Sequence, residues 1–466
     1  MRADPVREQA LAVLERVEAG GSLDRAFDRA LSVHGDPRRQ RFLAELVKGT
    51  LVWRGRYDRV IEVFSRRRPP EQKRLRQILR LGLHQLLAQG GVPAHAALSE
   101  TVELTRAAVG ERPAAYVNGL LRAVHRAVEA AGGNMEAALR PLFPGDPESV
   151  EHLSGWYSFP PWLVARWHAR LGPRETERLL EVLDRPPVTT LHVLPPADPR
   201  QRAEDLAAAG HATVAHPLHP RALVLAGRQP RRELADLLDR FPDLIVQDAA
   251  AQAAAAYLLA DTRGPAADLC AAPGGKSFHW AAREPGARPL VALDRSGARL
   301  RLMAGTALRL PVAPTALVRG DAAHPPLAPG RWRAVLLDGP CSGTGVLRRH
   351  AEGRWRLTPA VITASGERLL ELAIAAAALV APGGLLLYAT CSLEPEENEQ
   401  VIAALRRERP DLVPEAPPAR DAAGPSGPDA AAVEVADFPG DSAGTRRWWP
   451  QRHEADGFYA ARLRRR

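Results

Sequence analysis

The sequence predicts a multidomain protein: an all-α bundle, then a small α/β domain, then a doubly wound α/β domain. Three observations carry that expectation. Apolar residues recur at helical spacing through roughly the first 130 residues. A Pro- and Gly-rich stretch over 141–156 then breaks the pattern. From about residue 241, short apolar runs alternate with helical segments, as parallel βαβ units require.

Val6, Ala10, Val13, Leu14 and Val17 form the first helical stripe, which stops at Gly20-Gly21, and Ser22 is the N-cap candidate of the next helix. Phe42, Leu46, Val47, Leu51 and Val52 make another, followed by Val60, Ile61 and Phe64. The strongest stripe is Leu75, Ile78, Leu79, Leu83, Leu86 and Leu87, and the segments at Ser99–Leu104 and Tyr116–Val124 carry the last two. The expected helical domain spans 1–140, with arginine-rich outer faces. A small α/β domain is expected over 150–240: a Trp-rich helix (Trp156, Trp162, Trp167), a second helix at Glu175–Leu183, strands at Val188–Leu194 and Ala222–Leu225, and a helix at Glu204–Ala209. The tryptophans read as packing residues.

The third domain, 241–466, has strand-length runs at Ala266–Leu269, Pro289–Asp294, Thr315–Val318, Ala334–Leu337 and Leu385–Tyr388. Low-complexity residues 410–445 predict a mobile surface loop. The closing segment from Asp456 predicts a final strand pair.

Charge and cysteine usage narrow the function. The net charge of +9 over 466 residues points to a polyanionic partner. Of 63 Lys and Arg residues only Lys48, Lys73 and Lys276 are lysine, so a GC-rich coding bias accounts for part of the basicity. The same bias makes Lys276 conspicuous, because it kept an ammonium inside a Gly-rich loop. Three cysteines form neither a disulfide framework nor a Cys-x-x-Cys metal pattern. With a charged N-terminus and no apolar run near the ~20 residues a membrane span needs, the expectation is a cytoplasmic protein without metal or membrane.

Each cysteine lies just beyond a strand-length run: Cys270 in Asp268-Leu-Cys-Ala-Ala-Pro-Gly-Gly-Lys276, Cys341 in Asp338-Gly-Pro-Cys-Ser-Gly-Thr-Gly345, and Cys391 in Tyr388-Ala-Thr-Cys-Ser392. Open α/β sheets place ligands there. The loop over 268–276 is not the GxGxxG of dinucleotide binders, which weighs against a dehydrogenase. Asp268, Asp294, Asp321 and Asp338 end four consecutive strands. Carboxylates in that register repel a polyphosphate but suit a nucleoside carrying a positive sulfonium, S-adenosylmethionine, with Asp294 facing the ribose hydroxyls and Asp321 the adenine. Singly, any one of them could be a helix cap.

Taken together, Asp268–Ser277, Leu337–Val346 and Ala389–Ser392 with Pro395-Glu-Glu-Asn-Glu resemble the RNA cytosine-C5 methyltransferases. Gly49-Thr-Leu, Leu81–Leu87, Val92–Ala97, Glu100–Leu104 and Val117–Arg122 resemble the NusB-like RNA-binding domain. The combination resembles the bacterial small-subunit ribosomal RNA methyltransferase B family over nearly the whole chain except 410–445. The resemblance implies methylation of carbon 5 of a cytosine in small-subunit rRNA, naked or in an assembling particle, by a monomer. It makes Cys391 the nucleophile and gives Cys341 product release, as or through a general base. Asp338 would bond the base edge, and Lys276 would position or polarise the base. Cys270, Ala271, Ala272, Pro273, Gly274, Gly275 and Lys276, with Asp294, Asp321 and Asp338, would bind the cofactor.

The chain departs from the family pattern at Leu191-His-Val-Leu, at Arg349-His-Ala-Glu and at Phe241–Asp248. Two alternatives stay open: a tRNA enzyme of the same chemistry, and a non-catalytic NusB-like RNA-binding factor.

Overall fold

The structure, a computed structural model, describes residues 4–31, 36–65, 68–89, 91–227, 231–283, 289–418 and 444–466. It divides into two compact units: Met1–Arg185 with Arg348–Arg356, and Pro186–Leu347 with Leu357–Arg466.

The first unit is helical. Its opening helix, Pro5–Glu18, starts where Asp4 accepts from the Val6 N–H at 3.0 Å and Pro5 occupies the first turn. The stripe read from sequence turns inward: Val6, Ala10, Val13, Leu14 and Val17 pack with Leu43, Leu46, Ile78 and Leu81. Helices at Val150–Trp156, Pro161–Leu171 and Pro173–Asp184 also belong to this unit. The units therefore part at Arg185, whereas the sequence expectation opened a separate domain at 150. Trp156 and Trp167 are buried. Trp156 and Trp53 sandwich the Arg56 guanidinium at 4.2 and 4.1 Å.

The segment Arg348–Arg356 is contributed to this unit from far along the chain. Arg354 is fully buried there and donates to the carbonyls of Leu183 (2.5 Å) and Val52 (3.2 Å). Its guanidinium lies 3.9 Å from the Phe159 ring centre and 3.6 Å from Asp184.

The second unit holds two sheets. The smaller contains β1 (Thr190–Val193), β2 (Thr213–Ala215), β3 (Ala222–Leu225) and β4 (Leu244–Val246), antiparallel in the order β2-β3-β1-β4. The larger contains β5 (Ala266–Leu269), β6 (Leu290–Asp294), β7 (Ala316–Arg319), β8 (Trp332–Asp338), β9 (Val380–Thr390), β10 (Leu412–Pro414), β11 (Thr445–Trp448) and β12 (Phe458–Arg465). Its order is β10-β12-β9-β8-β5-β6-β7, with β11 also on β12. Strands β5 to β9 pair in parallel, and β12 returns antiparallel beside β9. Strand β5 is buried at every position, as a parallel strand covered on both faces must be.

The chain leaves β5 toward β6 on one side and later reaches β8 on the other, so the strand order reverses at β5/β8. A crevice opens beyond the carboxyl ends at such a point. Most of the loop expected over 410–445 lies outside the described residues, although β10 falls at its start. Among the described residues, no helix is long and apolar enough to cross a membrane.

Candidate active site

The registers place Leu269 beside Leu337, and Asp338 beside Ala389. The three cysteine loops therefore leave β5, β8 and β9 at one level. A cavity of about 600 Å³ lies there, lined by Cys270, Lys276, Asp338, Cys341 and Cys391 among others. The volume falls within the range of small-molecule sites.

Cys341 Sγ and Cys391 Sγ are 3.3 Å apart. The bond with Cys391, and then burial, raise the Cys341 thiol well above its ordinary range. The third cysteine differs. Burial, reinforced by Asp268, pushes Cys270 up to about 12, so it stays a thiol while the backbone of its loop shapes the cavity wall. Burial also lifts Asp268 to about 7. Lys276 Nζ donates to Asp338 Oδ2 at 2.7 Å and lies 4.8 Å from the Phe458 ring centre.

The loop after β5 turns sharply. Cys270 itself has φ +63°, and Gly274 has φ +111°, where a Cβ would come within 2.5 Å of the Phe278 ring. Ala271, Ala272, Pro273 and Gly275 line the cavity with backbone and small side chains; Gly274, Asp294 and Asp321 do not line it. Asp294 is buried, accepting from Ala272 N at 3.1 Å and Ser296 N at 2.7 Å, which braces the loop from behind. Asp321 faces Arg368 at 3.1 Å near the surface.

Gln247, Phe278 and Phe458 line the cavity without having been singled out from sequence. His192 Nδ1 and Gln247 Oε1 are 2.8 Å apart. His192 also meets His219 edge-on and His279 at a tilt in a buried cluster, its ring centre 5.5 and 4.7 Å from theirs.

Similarity to known proteins now bears on this geometry. Residues 4–126 match the NusB family, and residues 257–464 match the family described as 16S rRNA methyltransferase RsmB/F. The chain is 35% identical to the "Probable ribosomal RNA small subunit methyltransferase B" of Synechocystis sp., over 87% of this chain and 90% of that one. The chain belongs to the ribosomal RNA small subunit methyltransferase B family. As in that family, it is an S-adenosylmethionine-dependent methyltransferase with a NusB-type helical domain ahead of it.

The crystal structure of PH0851 shares the fold, with a TM-score of 0.73 at 24% identity over 99% of both chains. NSun6 from Pyrococcus horikoshii, solved with SFG, superposes with a TM-score of 0.52 at 19% identity, over 66% of this chain and 98% of that one. The cavity suits the family's cofactor. Asp268 lies on its wall, and its buried Oδ1 has no hydrogen-bond partner among the described residues, which leaves an acceptor for a ligand that carries donors.

Proposed function

We propose that this enzyme methylates carbon 5 of a cytosine in small-subunit rRNA, in the cytoplasm, through a covalent bond between Cys391 and carbon 6. The observation that carries the reading is the pair of sulfurs 3.3 Å apart in the cavity at the ends of β8 and β9. The substrate class follows the family and the name of the Synechocystis relative. A target base inside RNA must be unstacked to reach such a cavity.

S-adenosylmethionine supplies an electrophilic methyl group. The Cys391 thiolate adds to carbon 6, which turns the ring into an enamine nucleophilic at carbon 5. Lys276 holds Asp338 at 2.7 Å, so that its second oxygen is available to the base edge. After transfer, the proton on carbon 5 must leave and the bond to Cys391 must break. The chief influence raising Cys341 is its hydrogen bond with Cys391. Once Cys391 is a thioether, that hydrogen bond no longer raises Cys341 in the same way. Cys341, its own proton given up to solvent, then accepts the carbon 5 proton; the freed electron pair re-forms the double bond between carbons 5 and 6 as the bond from carbon 6 to sulfur breaks, returning Cys391 as a thiolate.

The test is a pair of variants incubated with small-subunit rRNA and cofactor. Cys391→Ala should abolish turnover and form no adduct. Cys341→Ala should methylate once and remain as a protein–RNA adduct on a denaturing gel. An adduct with Cys391→Ala instead would reverse the roles, and turnover in both would refute the covalent route. Bisulfite sequencing of rRNA and tRNA from a deletion strain identifies the substrate, and loss of the mark from tRNA alone would exclude rRNA.

A further inference from the structure

We propose that Glu397 is a positioning residue that clamps the two thiol loops to each other and thereby sets the release step. The proposal rests on the covalent reading above.

Glu397 is fully buried, and its carboxylate grips the residue immediately after each cysteine. Oε1 accepts from Ser342 N at 2.6 Å, and Oε2 accepts from Ser342 Oγ at 2.5 Å. Oε2 also accepts from Ser392 Oγ. Three hydrogen bonds from two loops converge on one side chain. One carboxylate therefore fixes Ser342 beside Cys341 and Ser392 beside Cys391.

The clamp is itself held. The Tyr388 hydroxyl, kept protonated by burial, donates to the Glu397 carbonyl at 2.5 Å. Next to it, Asn398 accepts from Thr390 Oγ1 at 2.5 Å and donates to the Ser392 carbonyl at 2.9 Å. A second tie joins the same loops, since Gly345 N donates to the Cys391 carbonyl at 3.0 Å. A Cβ on Gly345 would lie 2.8 Å from that carbonyl oxygen, which forbids any side chain there.

Neighbouring strands lie about 4.8 Å apart. Here the sulfurs beyond two such strands come within 3.3 Å. The chemistry has need of that closeness. Addition uses carbon 6 and proton removal uses carbon 5, which are adjacent atoms of one ring. Addition requires Cys391 alone, but release requires both sulfurs at once. Loosening the clamp should therefore penalise release more than addition.

The experiment compares Glu397→Ala, Glu397→Gln and the milder Ser392→Ala in the full-length protein, each checked for folding by thermal unfolding. The first readout is binding of phenylarsine oxide, a trivalent arsenical that needs two adjacent thiols and neither RNA nor turnover. The second is the adduct fraction during turnover with rRNA. Glu397→Ala should weaken arsenical binding by roughly a hundredfold, the scale that a misplacement near 1 Å costs between reacting groups, and should accumulate adduct. Glu397→Gln still accepts from Ser342 N through Oε1, and its amide NH2 in place of Oε2 can donate to the Ser342 and Ser392 hydroxyls, so it should recover most of both signals.

If Glu397→Ala does not fold, Ser392→Ala carries the test, with a smaller change in the same direction. Wild-type arsenical affinity in folded Glu397→Ala, or in Ser392→Ala where that variant carries the test, would overturn the clamp. So would failure of Glu397→Gln to restore arsenical binding. The arsenical arm keeps its meaning if no RNA adduct forms even in Cys341→Ala, a result that would fault the covalent reading and leave the clamp to be judged on thiol spacing.

Discussion

The contact between Lys276 and Asp338 gives the most quantitative test of the site. The ammonium is 7% exposed and donates at 2.7 Å to a carboxylate that is 34% exposed. Removing one partner of a buried, hydrogen-bonded charge pair costs about 2–5 kcal/mol. Water reaches a third of Asp338, so the lower end applies, about 2–3 kcal/mol. If that contact orients Asp338 toward the base, Lys276→Met and Asp338→Asn should each slow single-turnover methyl transfer by roughly 30- to 150-fold. Lys276→Met should be the worse, since it also loses the Phe458 ring 4.8 Å away. The double variant should be little slower than Lys276→Met, a coupling energy of about 2 kcal/mol. The assay follows tritium from labelled S-adenosylmethionine into an rRNA fragment, with cofactor affinity measured alongside by calorimetry. Additivity within about 0.5 kcal/mol would show that the two side chains act separately and refute the orienting role.

Other outcomes follow from particular contacts. Arg354→Ala should destabilise the helical unit by about 3–5 kcal/mol, because it strands buried carbonyls and Asp184; a change under about 1 kcal/mol in chemical denaturation would contradict this. The second unit should lose stability as pH falls below about 6.5. There the unfolded chain protonates His192, His219 and His279, whereas burial holds His192 at about 4 and the other two well below their ordinary value. His453, also lowered by burial, acts in the same direction. Asp268, held up to about 7, opposes them, since folded Asp268 keeps a proton that the unfolded chain sheds above about 3.9. A net of about two protons or more favours unfolding near pH 5, or about 2.7 kcal/mol per pH unit, and a urea midpoint that is flat from pH 7.5 to 5 would be the contrary result. Hydrogen peroxide should oxidise Cys341 and Cys391 to a disulfide, two thiols and one peroxide giving one disulfide and two waters. The sulfurs need approach by only about 1.3 Å. Activity should vanish and return with dithiothreitol, and a loss that thiols cannot reverse would count against it.

Much of this site was legible because its parts are local in the sequence. A strand-length run followed by a Gly- or Pro-marked loop says where a cysteine will sit in an open α/β sheet. Three such loops, with the lysine of the first, do line one cavity. What was hidden depends on long-range pairing. Phe458 lies more than 60 residues beyond Cys391 and reaches the cavity at the start of β12, which pairs with β9. Gln247 follows a strand of the other sheet. The segment from Arg348 to Arg356 has no apolar stripe, so nothing in its periodicity could announce that it packs among the helices of the first unit.

The four strand-end aspartates show where a pattern stops being informative. The sequence put all four at strand ends, but the registers pair Asp268 with Ala292 and Leu336, two residues short of Asp294 and Asp338, while Asp321 lies two residues past β7; only Asp268 and Asp338 line the cavity. Asp294 spends its oxygens on backbone N–H groups of Ala272 and Ser296, close to the capping role that any isolated Asp invites. Position along a strand decides which end of the sheet a residue reaches; the hydrogen bonds offered there decide whether it faces the ligand or the loop that holds the ligand. Lys276 shows the converse. It sits in a slot between a carboxylate and the face of Phe458, where a compact ammonium on a flexible stem can satisfy both. A planar guanidinium would call for a second acceptor in its fork. In a chain that uses arginine almost everywhere else, that requirement is a physical reason for lysine to persist at this position.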